Sequence, residues 1–422
     1  MRLRRIPLLL LAALVLAIAT PAAAQTSLRA QDPATASPSA ASRRRVLSDE
    51  PKAAPRPIHS RHFAFLSDVS DRESKLILDK LETMVGLLER YFGRRQRGVI
   101  EGFIVHDLAV WPEGVLTEPL GIEKIKEPAG ICFTIALGPE RRAVLYACDD
   151  PGIIQHECTH GFCHLTFGGV GPLWLAEGLA ELGRWWREKE KGVNVPPVIL
   201  AHLHAADRPP LAAITAPNQP PSNDWRDYTW RYALCQMLLD NPNYADRFRA
   251  LAVGLMEGQP GVSFESVYGP VGREVGFEFE QFLTHVGNGT RADLTAWPWK
   301  AKQRKLAPGG VGHAKVKGAA GWQASGVEVE AGAVYVITAE GTCQMAADAE
   351  PTGPEGDGAG RGQLTGALYA DFTLSPEIPL GSHSSWIAPA DGLLMLRAAD
   401  AWTELADNDG TLSITIRRGE AP

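Results

Sequence analysis

The sequence predicts an α+β protein in two parts, a mainly helical domain with a small sheet followed by a β-sandwich domain. Two observations support this division. Within residues 58–300, several segments have apolar residues at helical spacing, and in Asp71–Phe92 leucine and isoleucine recur at three- and four-residue steps. After a linker at residues 301–312, rich in lysine, glycine and proline, residues 313–422 contain β-forming segments separated by Gly, Pro and Asp. The 422 residues, 45% of them hydrophobic, are enough for two domains with buried cores.

Residues 1–24 have the features of a secretory signal peptide. Several arginines at the start precede an apolar block from Ile6 to Ile18, and Ala22-Ala23-Ala24 forms a small-residue cleavage pattern. We therefore expect cleavage before Gln25 and a secreted or periplasmic mature protein. No later stretch is apolar over the length that a membrane span needs, so we expect no transmembrane anchor in the mature chain.

Composition predicts that residues 25–57 stay unfolded and that nucleic acid is not a partner. Residues 25–57 are rich in Ala, Ser, Pro and Arg and lack hydrophobic periodicity, which predicts a disordered linker or a short pro-segment. The formal net charge of the chain is -7. Because binding to phosphates requires clustered positive charge, we expect no nucleic-acid partner.

The first folded elements are predicted from their periodicity and turn residues. In order, they are a helix over Asp71–Phe92, a strand over Gly98–Val105 and a hairpin of Gly130–Leu137 with Ala143–Cys148. Cys132 and Cys148 lie at near-symmetric distances from the predicted turn of this hairpin. A disulfide bridge between them is one interpretation, and two free thiols is the other.

Clear start and stop signals surround the next helix. An aspartate before Pro151, in the pair Asp149-Asp150, can cap the helix, and Pro151 suits its first turn. Two glycines follow Phe167 and end the helix. Later helices are predicted over Leu173 to about Lys191, Asp224–Leu239 and Phe277–Val286.

A metal-binding motif lies inside the helix that starts at Pro151. His156 and His160 are four residues apart, so both imidazoles project from one face and can reach one metal ion, for which zinc is the natural occupant. His164 continues that face, but at 1.5 Å per residue it lies about 12 Å along the axis from His156, too far to share the ion. Thr166 stands where the metzincin pattern requires a third histidine, which excludes that class.

The third ligand must therefore come from another element. Glu177 lies seventeen residues after His160, and a carboxylate on a following antiparallel helix can complete a His-His-Glu site. Glu181, one turn later, could accept the other N–H of a ligating imidazole.

The combination of HECTH with PLWLAEGLAE resembles the gluzincin metallopeptidases, particularly secreted bacterial families. The resemblance implies a thermolysin-like fold for residues 58–300 and zinc as the cofactor. It also implies that His156, His160 and Glu177 are the zinc ligands, that Glu157 is the general base, and that Glu181 is the outer partner of a ligating histidine.

Such a peptidase also needs a donor for the tetrahedral oxyanion. In look-alike families a tyrosine opens the helix after the glutamate helix, which makes Tyr228 the first candidate and Tyr232, one turn later, the second. Aromatic core packing is the alternative for either. We expect an extended peptide or protein substrate to pair with the edge strand at Gly130–Thr134.

Residues 313–422 resemble the calcium-dependent galactose-binding lectins of the PA-IL type. The most specific part is Asp400 followed by Asp407-Asn408-Asp409-Gly410. Because hard oxygen donors on a loop suit calcium, Asp400, Asp407 and Asn408 are candidate ligands of Ca²⁺. The alternative is a hairpin turn in a calcium-free sandwich.

Taken together, these patterns predict a secreted zinc-dependent metallopeptidase. Its C-terminal domain is expected to dock onto glycan or protein. The competing hypothesis is a non-catalytic, secreted carbohydrate-binding protein in which the peptidase fold is a degenerate scaffold.

Overall fold

The structure of the protein, a computed structural model, describes residues 54–137, 140–204, 207–220 and 224–420. The predicted signal peptide and residues 25–53 lie outside the described residues. In the part of the chain that is described, no helix combines the length and the apolar character needed to cross a bilayer.

The N-terminal part contains one sheet. Its strands are β1 (Arg56–His59), β2 (Phe63–Ser67), β3 (Ile100–Val105), β4 (Gly130–Leu137) and β5 (Glu140–Cys148). The strand order is β1-β2-β3-β5-β4, in which β2, β3 and β5 are parallel and the edge strands β1 and β4 are antiparallel to their neighbours. The sheet thus leaves one edge of β4 without a partner strand in the described residues.

The described residues of the N-terminal part also form ten α-helices. They are α1 (Asp71–Phe92), α2 (Pro119–Lys126), α3 (Pro151–Phe167), α4 (Leu173–Trp185), α5 (Pro197–Leu203), α6 (Leu211–Ile214), α7 (Trp225–Asp240), α8 (Ala245–Met256), α9 (Phe264–Tyr268) and α10 (Gly272–His285). Side chains from α1, the sheet and α3 form one buried core, which includes Leu81, Leu145 and Phe162. We call residues 54–300 the metal region.

Local chemistry explains the limits of the two helices that matter most. The carboxylate of Asp150 accepts from the backbone N–H groups of Gly152 and Ile153, which starts α3. Helix α4 ends at Trp185, earlier than Lys191, where the sequence placed it. Its end is capped by Arg187, whose guanidinium donates to the carbonyl oxygens of Arg184 and Trp186 at 3.1 and 2.8 Å.

The disulfide interpretation of Cys132 and Cys148 is wrong, because both residues keep their thiols. The register of the hairpin explains this result. Cys132 pairs with Leu145 across β4 and β5, whereas the backbone N–H of Cys148 donates to Ala129. The two sulfur atoms therefore do not occupy opposing positions of the ladder.

The C-terminal part contains two sheets. Its strands are β6 (Arg304–Lys305), β7 (Val311–Lys317), β8 (Gln323–Val329), β9 (Val334–Gln344), β10 (Leu364–Ala370), β11 (Thr373–Leu374), β12 (Ile378–Pro379), β13 (His383–Ile387), β14 (Gly392–Ala398) and β15 (Asp409–Arg418). One sheet follows the order β11-β10-β14-β8-β6 with β12 beside β10, and the other follows β13-β9-β15-β7. Val329, Leu396, Ile337 and Ile414 come from both sheets and share one buried cluster. The predicted linker is partly structured, because β6 lies within it and pairs with β8.

An aromatic junction joins the two parts. Phe277 on α10 packs with Trp297 and with Tyr369 on β10, at ring-centroid distances of 4.8 and 5.2 Å. Farther along α10, the ring of His285 stacks on Trp402 at 4.4 Å. The C-terminal part therefore packs directly on the last helix of the metal region.

Candidate metal centre

The candidate centre lies where α3 and α4 pack against each other. Glycine at position 183 permits this close approach, since a Cβ atom there would lie 2.2 Å from Oγ1 of Thr159 on α3. Across the same contact, Nε2 of Gln155 donates to the carbonyl oxygen of Gly183 at 2.7 Å. These contacts place Glu177 on α4 opposite His156 and His160 on α3.

The three predicted ligands meet at one point. Nε2 of His156 lies 3.2 Å from Nε2 of His160 and 3.3 Å from Oε2 of Glu177, and the His160–Glu177 distance is 3.6 Å. Ligands of a tetrahedral zinc at about 2.1 Å would be about 3.4 Å apart. Within the described ranges, no other group of three or more His, Cys, Asp or Glu side chains is close enough to share an ion. The donor set therefore fits zinc.

The charges of the cluster also suit a cation. Burial favours the protonated form of Glu177, but His160 and His156 hold its pKa well below the usual range of a carboxylate. Burial favours the neutral form of His156, but Glu177 and Glu181 outweigh it and raise the pKa of His156 to about 10. The carboxylate is therefore ionised, and the site attracts positive charge, which a metal ion would supply in place of a proton.

Glu181 lies on the far side of His156. Its Oε1 is 3.0 Å from Nδ1 of that histidine, while Nε2 faces the other donors. Although burial opposes ionisation, Arg184 and His156 lower the pKa of Glu181 to about 2. A buried, ionised carboxylate this close to Nδ1 favours the ring orientation in which Nε2 faces the other ligand atoms, although the angle between the two groups is not that of a hydrogen bond.

Glu157 lies between α3 and the edge strand of the sheet. A Cβ atom on Gly130 of β4 would be 2.8 Å from Cγ of Glu157, so the two residues are in contact. The charge of Glu157 contributes to the raised pKa of His156. Glu157 thus lies next to the strand at which we expected a substrate to pair, and its charge acts on the ligand cluster.

Tyr228 on α7 lies beside the ligand cluster, with its ring centroid 6.4 Å from that of His156. Burial and then the charge of Glu177 raise the pKa of Tyr228, so the phenol keeps the proton that a hydrogen-bond donor needs. Tyr232, the second candidate, is only 2% exposed and belongs to the core. Of the two tyrosines, Tyr228 is therefore the one whose ring lies close to His156.

The sequence analysis missed Arg231 and Arg184 beside this centre, and it missed the contact of Trp185 with Glu181. The guanidinium of Arg231 stacks over the ring of Tyr228 at 5.5 Å and donates to Oε1 of Gln219 at 2.9 Å. Trp185 and Arg184 both donate to Glu181. Their positions three and four residues after other site residues were the only available signal. His164 is outside the cluster, and burial with the charges of His160 and Arg141 lowers its pKa to about 4.

The candidate calcium ligands in the C-terminal part are arranged differently. Oδ2 of Asp400 accepts from Nδ2 of Asn408 at 2.8 Å, and its Oδ1 accepts from the backbone N–H of Ala401 at 2.8 Å. Asp407 is exposed. Oδ1 of Asn408 is buried and has no hydrogen-bond partner. The structure thus brings Asp400 and Asn408 together through one hydrogen bond and leaves Oδ1 of Asn408 without a partner.

A comparison with solved structures finds similarity to a lectin domain. No family model and no curated protein matches this chain. One solved structure, described as "EclA N-terminal domain; PllA-like lectin", is 27% identical over 25% of this chain and 95% of that chain, with a TM-score of 0.22.

Proposed function

We propose that the protein is an exported, zinc-dependent peptidase of the gluzincin type. The observation that carries this proposal is the spacing of 3.2 to 3.6 Å among the donor atoms of His156, His160 and Glu177, with Glu157 next to a ligand on the same helix. His156, His160 and Glu177 would hold Zn²⁺, which when bound lowers the pKa of a coordinated water to about 7 and polarises a carbonyl group.

Glu157 is the proposed general base. Its place between the ligand cluster and β4 lets it take a proton from the attacking water and deliver that proton to the leaving amine. Tyr228 is the proposed oxyanion donor, because its phenol is protonated and lies beside His156.

The free edge of β4 is the proposed substrate-binding strand. Gly130 at its start contacts Glu157, and Ile135 farther along is 41% exposed. An extended peptide that added a strand here would pair its backbone with β4 and pass next to the base. The proposed substrate is therefore an extended segment of peptide or protein.

Replacement of Glu157 by Gln tests the proposal. The variant should bind as much zinc as the wild type but hydrolyse a peptide library at least about 100-fold more slowly, because the amide cannot accept the proton. Glu188→Gln, at an exposed position after α4, is the matched control and should keep full activity. Unchanged hydrolysis in Glu157→Gln would exclude Glu157 as the base, and a wild-type chain that binds zinc without cutting any peptide would exclude a peptidase.

A second candidate function concerns the C-terminal part. The buried, unpartnered Oδ1 of Asn408 next to Asp400 favours a cation site, and with it the glycan-binding alternative. In that alternative the protein binds carbohydrate and the metal region is a scaffold.

A further inference from the structure

Helix α4 presents a row of three residues toward the metal centre. Glu177, Glu181 and Trp185 are spaced four residues apart, so they share one face of the helix. The first is the candidate metal ligand, and the second contacts the ligand His156. The third ends the row with its indole N–H donating to Oε2 of Glu181 at 2.7 Å. Both Trp185 and Glu181 are 5% exposed.

The carboxylate of Glu181 uses its two oxygens for different partners. Oε1 lies 3.0 Å from Nδ1 of His156 and 3.2 Å from Nη1 of Arg184. Oε2 accepts from Trp185. A carboxylate with only one oxygen engaged could rotate about its terminal bond, whereas donors on both oxygens fix its plane. The orientation of Glu181 therefore depends on two residues that do not themselves reach the ligand histidines.

We propose that Trp185, assisted by Arg184, is a positioning residue for the metal centre. The indole N–H holds Glu181 in the plane that points Oε1 at Nδ1 of His156, and this contact keeps Nε2 of His156 toward the ion. The inference rests on the metal-binding part of the proposed function, and it does not require that the centre hydrolyses peptides.

Core packing is the competing explanation of Trp185. A buried indole contributes to packing through its ring, and this contribution does not depend on the chemistry of Glu181. Positioning acts only through Glu181. The two roles can therefore be separated by replacing Trp185 in the presence and in the absence of the Glu181 carboxylate.

The experiment measures the zinc affinity of the full chain by competition with a chromophoric chelator. Trp185→Phe removes the N–H and retains an aromatic ring. We expect its zinc affinity to fall about 3- to 30-fold, since the loss of an outer partner of a ligating histidine costs about 10- to 100-fold and Trp185 is one step farther out. In a Glu181→Ala background, the same change should alter affinity less than about two-fold.

Trp186→Phe is the matched control, because the neighbouring indole is partly buried and belongs to the same core. It should change zinc affinity less than about two-fold. If Trp185→Phe does not fold, Arg184→Met tests the other donor and should also weaken zinc binding. The melting temperature of each metal-free variant reports folding.

Two kinds of result would overturn the inference, and a third would overturn only the proposed peptidase activity. Unchanged affinity in Trp185→Phe, or a loss that persists in the Glu181→Ala background, would assign Trp185 to packing alone. A wild-type chain that takes up no zinc would remove the metal site and this inference with it. A chain that binds zinc but cuts no peptide would refute the peptidase, and the role of Trp185 would still stand on the affinity data.

Discussion

The two candidate cation sites differ in how they use their oxygen and nitrogen atoms. In the metal region, Nε2 of His156 and His160 and Oε2 of Glu177 face one another across 3.2 to 3.6 Å, and their supporting partners lie behind them. In the C-terminal part, Asp400 and Asn408 bond to each other. Three ligand atoms with lone pairs that point at one place repel one another unless a positive charge lies between them. A hydrogen bond from an amide N–H to a carboxylate oxygen needs no such charge. The comparison therefore predicts a strong site in the metal region and a weaker one in the C-terminal loop.

The largest effect is expected from removing a ligand of the first site. Glu177→Ala should lower zinc affinity more than about 100-fold, since it deletes a direct ligand and even outer partners are worth 10- to 100-fold. Zinc content after dialysis against a competing chelator measures this loss. Asp400→Ala, the corresponding change in the C-terminal loop, should leave zinc affinity as it is. An equal loss of zinc affinity in Glu177→Ala and Asp400→Ala would show that the two sites do not differ in the way proposed.

The next effect comes from the packing that brings the first site together. Gly183→Ala should destabilise the chain by about 1 to 3 kcal/mol, because its Cβ would overlap Thr159, which is 1% exposed. Denaturant unfolding measures the free energy. Gly276→Ala on α10 is the matched control: nothing lies within 4 Å of the added atom, and the change should stabilise by about 0.5 to 1 kcal/mol. A neutral Gly183→Ala would show that the contact between α3 and α4 is not close-packed.

The smallest effect is expected from calcium. If the C-terminal loop binds Ca²⁺ with a dissociation constant of about 1 mM, calcium at 10 mM would stabilise the chain by about 1.4 kcal/mol. Thermal melting of zinc-saturated protein with and without calcium measures this stabilisation as a shift in melting temperature. Asp400→Asn should remove the shift, and Asp348→Asn, at an exposed position in the same part, should not. No shift in the wild type would leave the loop as a self-bonded turn.

The junction connects these two parts physically. Trp402 lies in the same loop as Asp400 and stacks on His285 of α10. Glu278, on that helix, is 5% exposed and accepts from Asn241 at the end of α7. Through these contacts, the C-terminal part packs against the helix bundle that also holds Tyr228.

Local sequence was enough to predict much of the metal centre. A four-residue spacing decides that His156 and His160 share a face, and Asp150 with Pro151 decides where their helix starts, because helical periodicity and capping depend only on neighbouring residues. The same periodicity places Glu177 and Glu181 one turn apart on the following helix. Those residues, and the candidate chemistry they carry, could be read from the sequence alone.

Only the tertiary structure decided the rest. The sequence favoured Tyr228 but left Tyr232 as a second candidate, and it could not exclude the bridge between Cys132 and Cys148, which depends on the register of a hairpin. It also did not indicate that Trp185 bonds to Glu181. These outcomes depend on how separate elements pack against each other. The close approach of α3 and α4, for example, requires that residue 183 has no side chain. Distances between elements are set by contacts between residues far apart in the chain.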